Sequence, residues 1–261
     1  MSRRTTRTRL RRTAGGAAVA LAVAVCTATS AQTMAGDAQT RGFEGIWLLD
    51  GRTASFSDEP PPAMTAWAAE RFRNNRPSVG PLATVEANDP TVRCLPPGLP
   101  YVLTIPTPFE LIERDGELLQ IFEYDHSIRR IHLDGRAWPE DLALTGVFQW
   151  MGYSIGHRDG DAIVIETRGF NDRTWLDRSG HPHSDALTVV ERLEMADADT
   201  LVDSVTVIDP QAYREPWRGH IVFRRKIGWE LLEHVCIDEA VGSPEYRAFK
   251  DTAWRPPTVT E

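Results

Sequence analysis

Hydrophobic and polar residues alternate along most of the chain beyond residue 100, and alternation with a period of two is typical of half-buried β-strands. It is clearest at residues 188–193 and 204–208. Asp-Gly pairs stand between several of the runs, and this dipeptide favours a tight hairpin turn. Ten strands are predicted here, at residues 101–105, 109–114, 118–124, 128–133, 153–157, 162–167, 187–194, 201–208, 220–225 and 229–235.

Two further elements are predicted before residue 100. Residues 45–49, GIWLL, indicate a first strand. Residues 60–75 begin with prolines, which suit the first turn of a helix. They then place apolar side chains at helical spacing, namely Met64, Trp67, Ala68 and Phe72. Residues 76–100 are rich in proline and glycine, and we expect an ordered irregular segment there.

These elements predict an all-β protein, an antiparallel meander that closes into a barrel of about eight to ten strands with one short N-terminal helix. Closure removes the unpaired edges that an open sheet of this length would expose. A barrel of this size has room for one small ligand.

The first 31 residues are predicted to be a signal peptide. Six arginines precede an apolar run at residues 17–25, and small residues follow as far as Ala31. This order is typical of secretory signals, and the run is well short of the ~20 residues that span a bilayer. We expect cleavage after Ala31, a single domain at residues 32–261, no integral membrane segment after cleavage, and a secreted or periplasmic protein. Twin-arginine export and lipidation at Cys26 are alternatives.

The acidic net charge of the chain argues against nucleic acid as a partner. The chain has a formal net charge of −8, and loss of the six leader arginines makes the remainder more acidic still. Only two lysines occur, Lys226 and Lys250. Nucleic acids and anionic lipids bind clustered Lys and Arg. We therefore expect no nucleic-acid partner.

Cysteine usage agrees with export. The chain has three cysteines, and Cys26 lies in the predicted leader. The remaining two, Cys94 and Cys236, most simply form one disulfide in an oxidising compartment. A catalytic thiol is the alternative.

Two resemblances are carried by particular residues. Phe43-Glu44-Gly45-Ile46-Trp47 resembles the Gly-x-Trp that opens the first strand of lipocalin-like (calycin) barrels, which implies a lipocalin-like fold. Most of the chain is also similar to a large family of exported bacterial proteins of unassigned function. The shared motifs are CLPPGLP at 94–100, RRIHLDGR at 129–136, GYSIG at 152–156, GDAIVIET at 160–167, His183-Ser184, Glu191-Arg192, and Asp209-Pro210 through Pro216-Trp217. This resemblance implies a common fold and a common pocket. It does not indicate which activity the protein has.

The long connection between the strands predicted at residues 162–167 and 187–194 is the first place to expect a site, because loops on a stiff sheet often carry function. It contains His181-Pro182-His183. In an extended segment residues i and i+2 face one side, so both rings could bind one metal with His157, Asp177 or Glu191 as third ligand. Histidines bonded to the loop backbone are the alternative, and we predict no metal and no cofactor.

Acid–base chemistry is the second possibility. Histidines beside carboxylates suit proton transfer near neutral pH, and alternation turns Glu191 inward, either as a site residue or in an ion pair with Arg129 or Arg130. The predicted catalytic residues are His126, Tyr153, His157, His183 and Glu191. The predicted substrate-binding residues are Tyr124, Arg129, Asn171, Trp175 and His181. We expect His126, His157, His183 and Glu191 to face one shared space.

Other catalytic motifs are weak. Ser154 lies in a Gly-x-Ser-x-Gly sequence, but that motif needs a strand-to-helix turn that these strands do not offer. No phosphate-binding glycine motif occurs. The predicted function is binding of a small, largely apolar organic molecule and its conversion by non-redox His/carboxylate chemistry of the lyase, dehydratase, isomerase or cyclase type. The alternatives are a non-catalytic carrier of the cell envelope, a zinc-dependent hydrolase or lyase, and a structural envelope protein.

Overall fold

The fold is a closed barrel of nine strands. The computed structural model describes residues 42–80, 82–140, 142 and 149–236, so the predicted signal peptide lies outside the described residues. The strands are β1 Gly45–Leu49, β2 Phe109–Arg114, β3 Glu117–Phe122, β4 Ile128–His132, β5 Tyr153–Asp159, β6 Ala162–Arg168, β7 Thr188–Asp197, β8 Thr200–Ile208 and β9 Trp217–Arg225. The predicted all-β barrel of eight to ten strands is confirmed.

Each strand pairs with the next along the chain, and β9 returns to pair with β1. One pair departs from the predicted meander, because β4 and β5 run parallel. Their pairing is limited to Ile131 with Ser154 and His132 with Ile155. A parallel pair needs a connection of a dozen residues or more, and residues 133–152 supply it. The barrel is therefore mixed rather than purely antiparallel.

Two predicted strands are absent from the structure. Tyr101–Thr104 is a 3₁₀ helix in which all four residues are buried, and burial alone explains the apolar composition that predicted a strand. Residues 229–235 are not a strand either. Because β9 already pairs with β1, the closed barrel offers no free edge to a tenth strand.

The interior of the barrel is filled by its own side chains. Every second residue of each strand points inward, and most of these residues are apolar and fully buried. Examples from eight strands are Trp47, Leu111, Leu118, Ile131, Ile165, Val189, Val205 and Phe223. A barrel of this size is just wide enough for side chains to fill, so we place candidate ligands at surface pockets rather than inside.

Trp47 of β1 packs in this core and contacts a residue of β9. Its ring is fully buried, and its indole N–H donates to the carbonyl of Phe43 at 2.9 Å. The guanidinium of Arg225, at the end of β9, lies 4.2 Å from the ring centre and also donates to the carbonyl of Gly42 at 2.9 Å. A cation over an indole face is stabilising. This contact joins the first strand to the last.

Helix α1, Ala66–Asn74, begins at Thr65, whose side chain accepts from the backbone N–H of Ala68. The Thr65 hydroxyl in turn donates to the carbonyl of Gln211 at 2.6 Å. The predicted helix is confirmed but is shorter than the predicted range, because the prolines at residues 60–62 precede its first turn. The Thr65 bond attaches it to the connection between β8 and β9. Within the described residues, no helix combines the length and apolar character needed to cross a bilayer.

The predicted disulfide is confirmed. Cys94 and Cys236 are bonded, with their Cα atoms 5.7 Å apart. The bond joins the irregular segment before β2 to the segment after β9.

Candidate functional site

One group of loops carries a dense network of buried polar side chains. The loop at residues 169–187 joins β6 to β7, and two buried aspartates hold it in place. The first is Asp177, which is fully buried. One of its oxygens accepts from the backbone N–H of Ser179 at 3.0 Å and of His181 at 3.3 Å. The other lies 2.7 Å from Nδ1 of His181.

The second organising carboxylate is Asp209, at the end of β8. Its Oδ2 accepts from the backbone N–H of Ser184 at 2.6 Å, and its Oδ1 accepts from the Ser184 hydroxyl at 2.8 Å. Oδ1 also accepts from the backbone N–H groups of Gln211 and Ala212, both at 3.1 Å. Hydrogen bonds to a carboxylate are among the stronger ones. Asp209 therefore fixes the 169–187 loop to the β8–β9 connection.

His183 lies within this network, and its partners define its tautomer. Nδ1 is 3.0 Å from the carbonyl of Ser184, which can only accept, so Nδ1 carries the proton. Nε2 therefore accepts from the hydroxyl of Thr174 at 2.6 Å. Burial lowers the pKa of His183, so its ring is neutral at pH 7. A hydroxyl that donates to a neutral, oriented imidazole is an arrangement suited to proton transfer.

A pocket of about 390 Å³, here called the loop pocket, opens beside His183. Its charged lining residues are Arg71, Arg93, Asp172 and Arg173. Its neutral polar lining residues are Asn75, Asn88, Thr174 and His183. Its apolar lining residues are Pro90, Leu95, Trp175 and Pro182. Helix α1, the segment around Cys94 and the 169–187 loop each contribute to it.

The loop pocket is cationic although the chain is acidic. Three arginines and one aspartate line it, whereas the whole chain has a formal net charge of −8. Arg71 pairs with Asp172 at 3.3 Å. The structure describes no side-chain partner for Arg93 or Arg173 among residues 42–80, 82–140, 142 and 149–236. Two guanidinium groups are therefore available to an anion.

The two histidines of His181-Pro182-His183 have separate surroundings. The His181 ring is stacked on Phe72 of α1, with ring centres 4.8 Å apart, and meets Trp217 edge-on at 4.9 Å. Both nitrogens of His183 are engaged by Ser184 and Thr174. The two rings therefore do not converge on one metal, and His183 fits the alternative in which the histidine is bonded to the loop backbone. In the described part of the chain, no three His, Cys, Asp or Glu side chains form a metal-binding group.

A second polar group lies inside the barrel. The guanidinium of Arg129 forms a double hydrogen bond with Glu191, one arm of which measures 2.8 Å. It also donates to Gln120 at 3.2 Å, to Ser154 at 3.0 Å and to Thr167 at 2.8 Å. We call these five residues, together with the neighbouring Asp203, the interior cluster. The ion-pair alternative for Glu191 is thus confirmed, with Arg129 as its partner.

The interior cluster holds two carboxyl groups and one cation. Burial, and after it the negative charge of Glu191, raises the pKa of Asp203 well above its usual value, while Arg129 acts in the opposite direction. Glu191 has the double contact with Arg129, so the proton resides on Asp203. The cluster is then electrically neutral, which a dry interior requires.

Replacement of Asp203 by asparagine is expected to stabilise the protein at pH 7 more than at pH 4. The raised pKa of Asp203 means that its contribution to stability is present below pH 3.8 and is lost as pH rises toward the folded-state pKa. Asparagine keeps the shape and does not ionise. The ratio of the folding equilibrium constants of the variant and the wild type should increase with pH, by at most a factor of about ten per pH unit. Urea unfolding at pH 4, 5.5 and 7 measures it, with exposed Asp161→Asn as control. A gain independent of pH would contradict the protonated state.

The expected single catalytic space does not exist. His157 is exposed on the outer face of β5, because alternation turns Ser154 and Gly156 inward instead. His126 is exposed, and its Nε2 accepts from the backbone N–H of His234 at 3.1 Å. His183 lies in the loop network, whereas Glu191 lies inside the barrel. The four residues expected to face one another therefore occupy four separate places.

The remaining predicted residues also divide among several places. The Tyr124 ring lies 4.7 Å from that of His234. The hydroxyl of Tyr153 accepts from Arg136 at 3.3 Å. The side-chain Oδ1 of Asn171 accepts from the backbone N–H of Arg173 at 3.0 Å, within the 169–187 loop. Of the ten predicted site residues, Trp175 and His183 line the loop pocket.

Ten of the twelve residues that line the loop pocket were not predicted as site residues, among them Arg71, Arg93, Arg173 and Thr174. They come from three separate segments, and no spacing in the sequence relates them. Thr174 had a weak signal, since it adjoins Trp175 in the loop already singled out.

A scan against protein-family models found no match, and neither did a search of the curated proteins. The resemblance to exported bacterial proteins therefore stays a prediction.

Proposed function

We propose that this chain is an exported β-barrel that binds a small organic anion, most simply a carboxylate, in the loop pocket. The observation that carries the proposal is the cationic lining of this pocket on an acidic chain. A ligand held here would be more polar than the largely apolar molecule expected from the sequence. The filled barrel interior supports this revision.

The chemistry of the lining favours a carboxylate. Arginine presents a planar fork of donors that matches the two oxygens of a carboxylate. Arg93 and Arg173 supply two such forks at the pocket. Trp175 and Leu95 offer apolar surface to the hydrocarbon part of a ligand. The carboxylate of a short organic acid would contact the arginines, and its hydrocarbon part would contact the apolar surface.

The surrounding network supports binding, because it holds the pocket in shape before any ligand arrives. Asn75 donates to the carbonyl of Gly180 at 2.7 Å, which attaches the end of α1 to the 169–187 loop. Asn88 donates to the carbonyl of Asn74 at 3.0 Å and accepts from the N–H of Arg76 at 2.7 Å. A preformed site loses less conformational entropy on binding. Export is supported by the disulfide, which persists in oxidising compartments.

A second candidate function is acid–base catalysis on the bound anion, and the Thr174–His183 pair favours it. The imidazole is neutral, and the carbonyl of Ser184 fixes its orientation. It can accept a proton from the Thr174 hydroxyl or from a ligand group that replaces this hydroxyl. The test is to follow bound anions by NMR over hours. Conversion by the wild type and none by His183→Gln supports catalysis, and no conversion by the wild type contradicts it.

Arg93→Gln and Arg173→Gln are each expected to weaken carboxylate binding about tenfold or more, because a hydrogen bond to a charged group contributes about 1.5–3 kcal/mol. Thermal-shift screening of mono-, di- and tricarboxylates would identify a ligand for the wild type, and calorimetry would then measure the dissociation constants. Arg73→Gln is the matched control, since Arg73 is exposed on α1 and does not line the pocket. Equal affinity in all variants, or no bound carboxylate in the wild type, would overturn the proposal.

A further inference from the structure

The barrel wall has a gap between β4 and β5. Their parallel pairing begins at Ile131 with Ser154 and includes only one more pair. If the same register continued backwards, residues 128–130 would face residues 151–153. Instead these two segments diverge and border a pocket of about 430 Å³, here called the seam pocket. The seam pocket is thus a consequence of the single parallel contact in the barrel.

The seam pocket has an apolar and aromatic part. Ile128, Trp150, Met151 and Tyr153 line it. Ile128 is 62% exposed although it is a large aliphatic residue at the start of a strand. The Tyr153 ring lies 5.0 Å from the ring of His132, which also lines the pocket. Flat rings and an exposed aliphatic side chain can pack against one face of an aromatic ligand.

The same pocket has a cationic part. Arg130 lines it and pairs with Glu117. More than half of the Arg130 side chain is exposed, and an exposed ion pair of this kind contributes little, so Arg130 can turn toward a bound anion at low cost. His132 adds no charge, because burial, and then the nearby Arg136, lowers its pKa. Arg129 lines the inner side, but its charge is matched by Glu191. Arg130 is therefore the lining residue that can offer its positive charge to a ligand, once it turns away from Glu117.

One buried acceptor in the seam pocket also lacks a partner. Oε1 of Gln149, a lining residue, is shielded from solvent and has no hydrogen-bond partner within the described ranges. A buried acceptor without a donor is destabilising. A ligand hydroxyl or N–H in the pocket would satisfy it.

We propose that the seam pocket is a second ligand site, distinct from the loop pocket, which takes a small aromatic acid. The aromatic ring packs against Trp150, Tyr153 and Ile128, and the acid group pairs with Arg130. A hydroxyl on the ring would reach Gln149. This proposal does not depend on the carboxylate site in the loop pocket, since the two sites share no lining residue.

The test uses 2-naphthoate as probe and isothermal titration calorimetry on the disulfide-bonded protein. Ile128→Asp is expected to weaken binding tenfold or more, because it places a negative charge against the probe. Ile208→Asp is the matched control, because Ile208 is also an exposed isoleucine at a strand end but lies outside the pocket. Arg130→Gln should weaken 2-naphthoate several-fold and leave the neutral analogue 2-naphthalenemethanol unchanged.

Arg93→Gln separates the two sites, since it alters the loop pocket alone and should leave 2-naphthoate affinity unchanged. The proposal is overturned if the wild type does not bind 2-naphthoate. It is also overturned if Ile128→Asp binds as well as Ile208→Asp, or if Arg93→Gln removes the binding. The third result would place 2-naphthoate in the loop pocket and so support the carboxylate site there, whereas the first two results leave that site untested.

Discussion

Arg129→Met is expected to lower the free energy of unfolding by about 3–5 kcal/mol, the range typical when one partner of a buried ion pair is removed. Arg129 is only 2% exposed and makes contacts with four side chains of the interior cluster. Without it, Glu191 would be a buried carboxylate beside Asp203, with no cation to balance it. The methionine side chain fills similar volume, so lost charge compensation rather than a cavity dominates the effect. Urea unfolding at pH 7 measures the loss.

Two further variants make this test specific. The double variant Arg129→Met, Glu191→Leu removes both charges, and it should recover much of the stability lost in Arg129→Met. Arg192→Met removes an arginine from the same barrel, but this residue pairs with Asp159 on the surface. Its loss should cost less than about 1 kcal/mol. A double variant as unstable as the single one would show that the cluster is held by packing rather than by charge.

Loss of the Cys94–Cys236 disulfide is also expected to lower the stability of the protein strongly. Its two cysteines are separated by 142 positions, and in the chain-entropy model a loop of this length contributes about 5 kcal/mol. Replacement of both cysteines by serine should lower the free energy of unfolding by several kcal/mol. Cys94 adjoins Arg93 and Leu95, which line the loop pocket. We therefore also expect weaker carboxylate binding in the folded variant.

Cys26→Ser is the control for the disulfide, because Cys26 lies in the predicted leader. It should leave unfolding and binding unchanged. Intact mass with and without reductant verifies the bond, since reduction adds two protons. A cost below about 1 kcal/mol in the double serine variant would mean that the bond does not restrict the unfolded chain.

Much of the barrel was predictable because its strands are amphipathic. Residues such as Val189, Glu191 and Leu193 share one face by simple alternation, and all three are buried in the structure. The parallel contact of β4 with β5 was not predictable, since alternation gives no strand direction. The buried turn Tyr101–Thr104 was mistaken for a strand because a short buried run has the same composition in either conformation.

The candidate site was only partly predictable. The 169–187 loop was identified because a long polar connection between strands stands out in the sequence, and His183 and Trp175 do line the pocket. Arg71 and Arg93 were not identified, because they meet the loop only through the tertiary packing of α1 and the segment before Cys94. The outward position of His157 was not predictable from alternation, because it shares a face with the apolar residues Tyr153 and Ile155. In the structure the small residues Ser154 and Gly156 take the inward positions instead.

The way in which β1 is paired has a consequence for how the chain folds. Trp47 is paired with Phe109 on one side and with Arg225 on the other. Strands β2 and β3, or β7 and β8, can form as local hairpins as soon as both members exist. In contrast, β1 emerges before every other strand and finds both neighbours only after long loops close, which is entropically costly and slow. The first strand made therefore completes its hydrogen bonds only when β9, the last strand made, pairs with it.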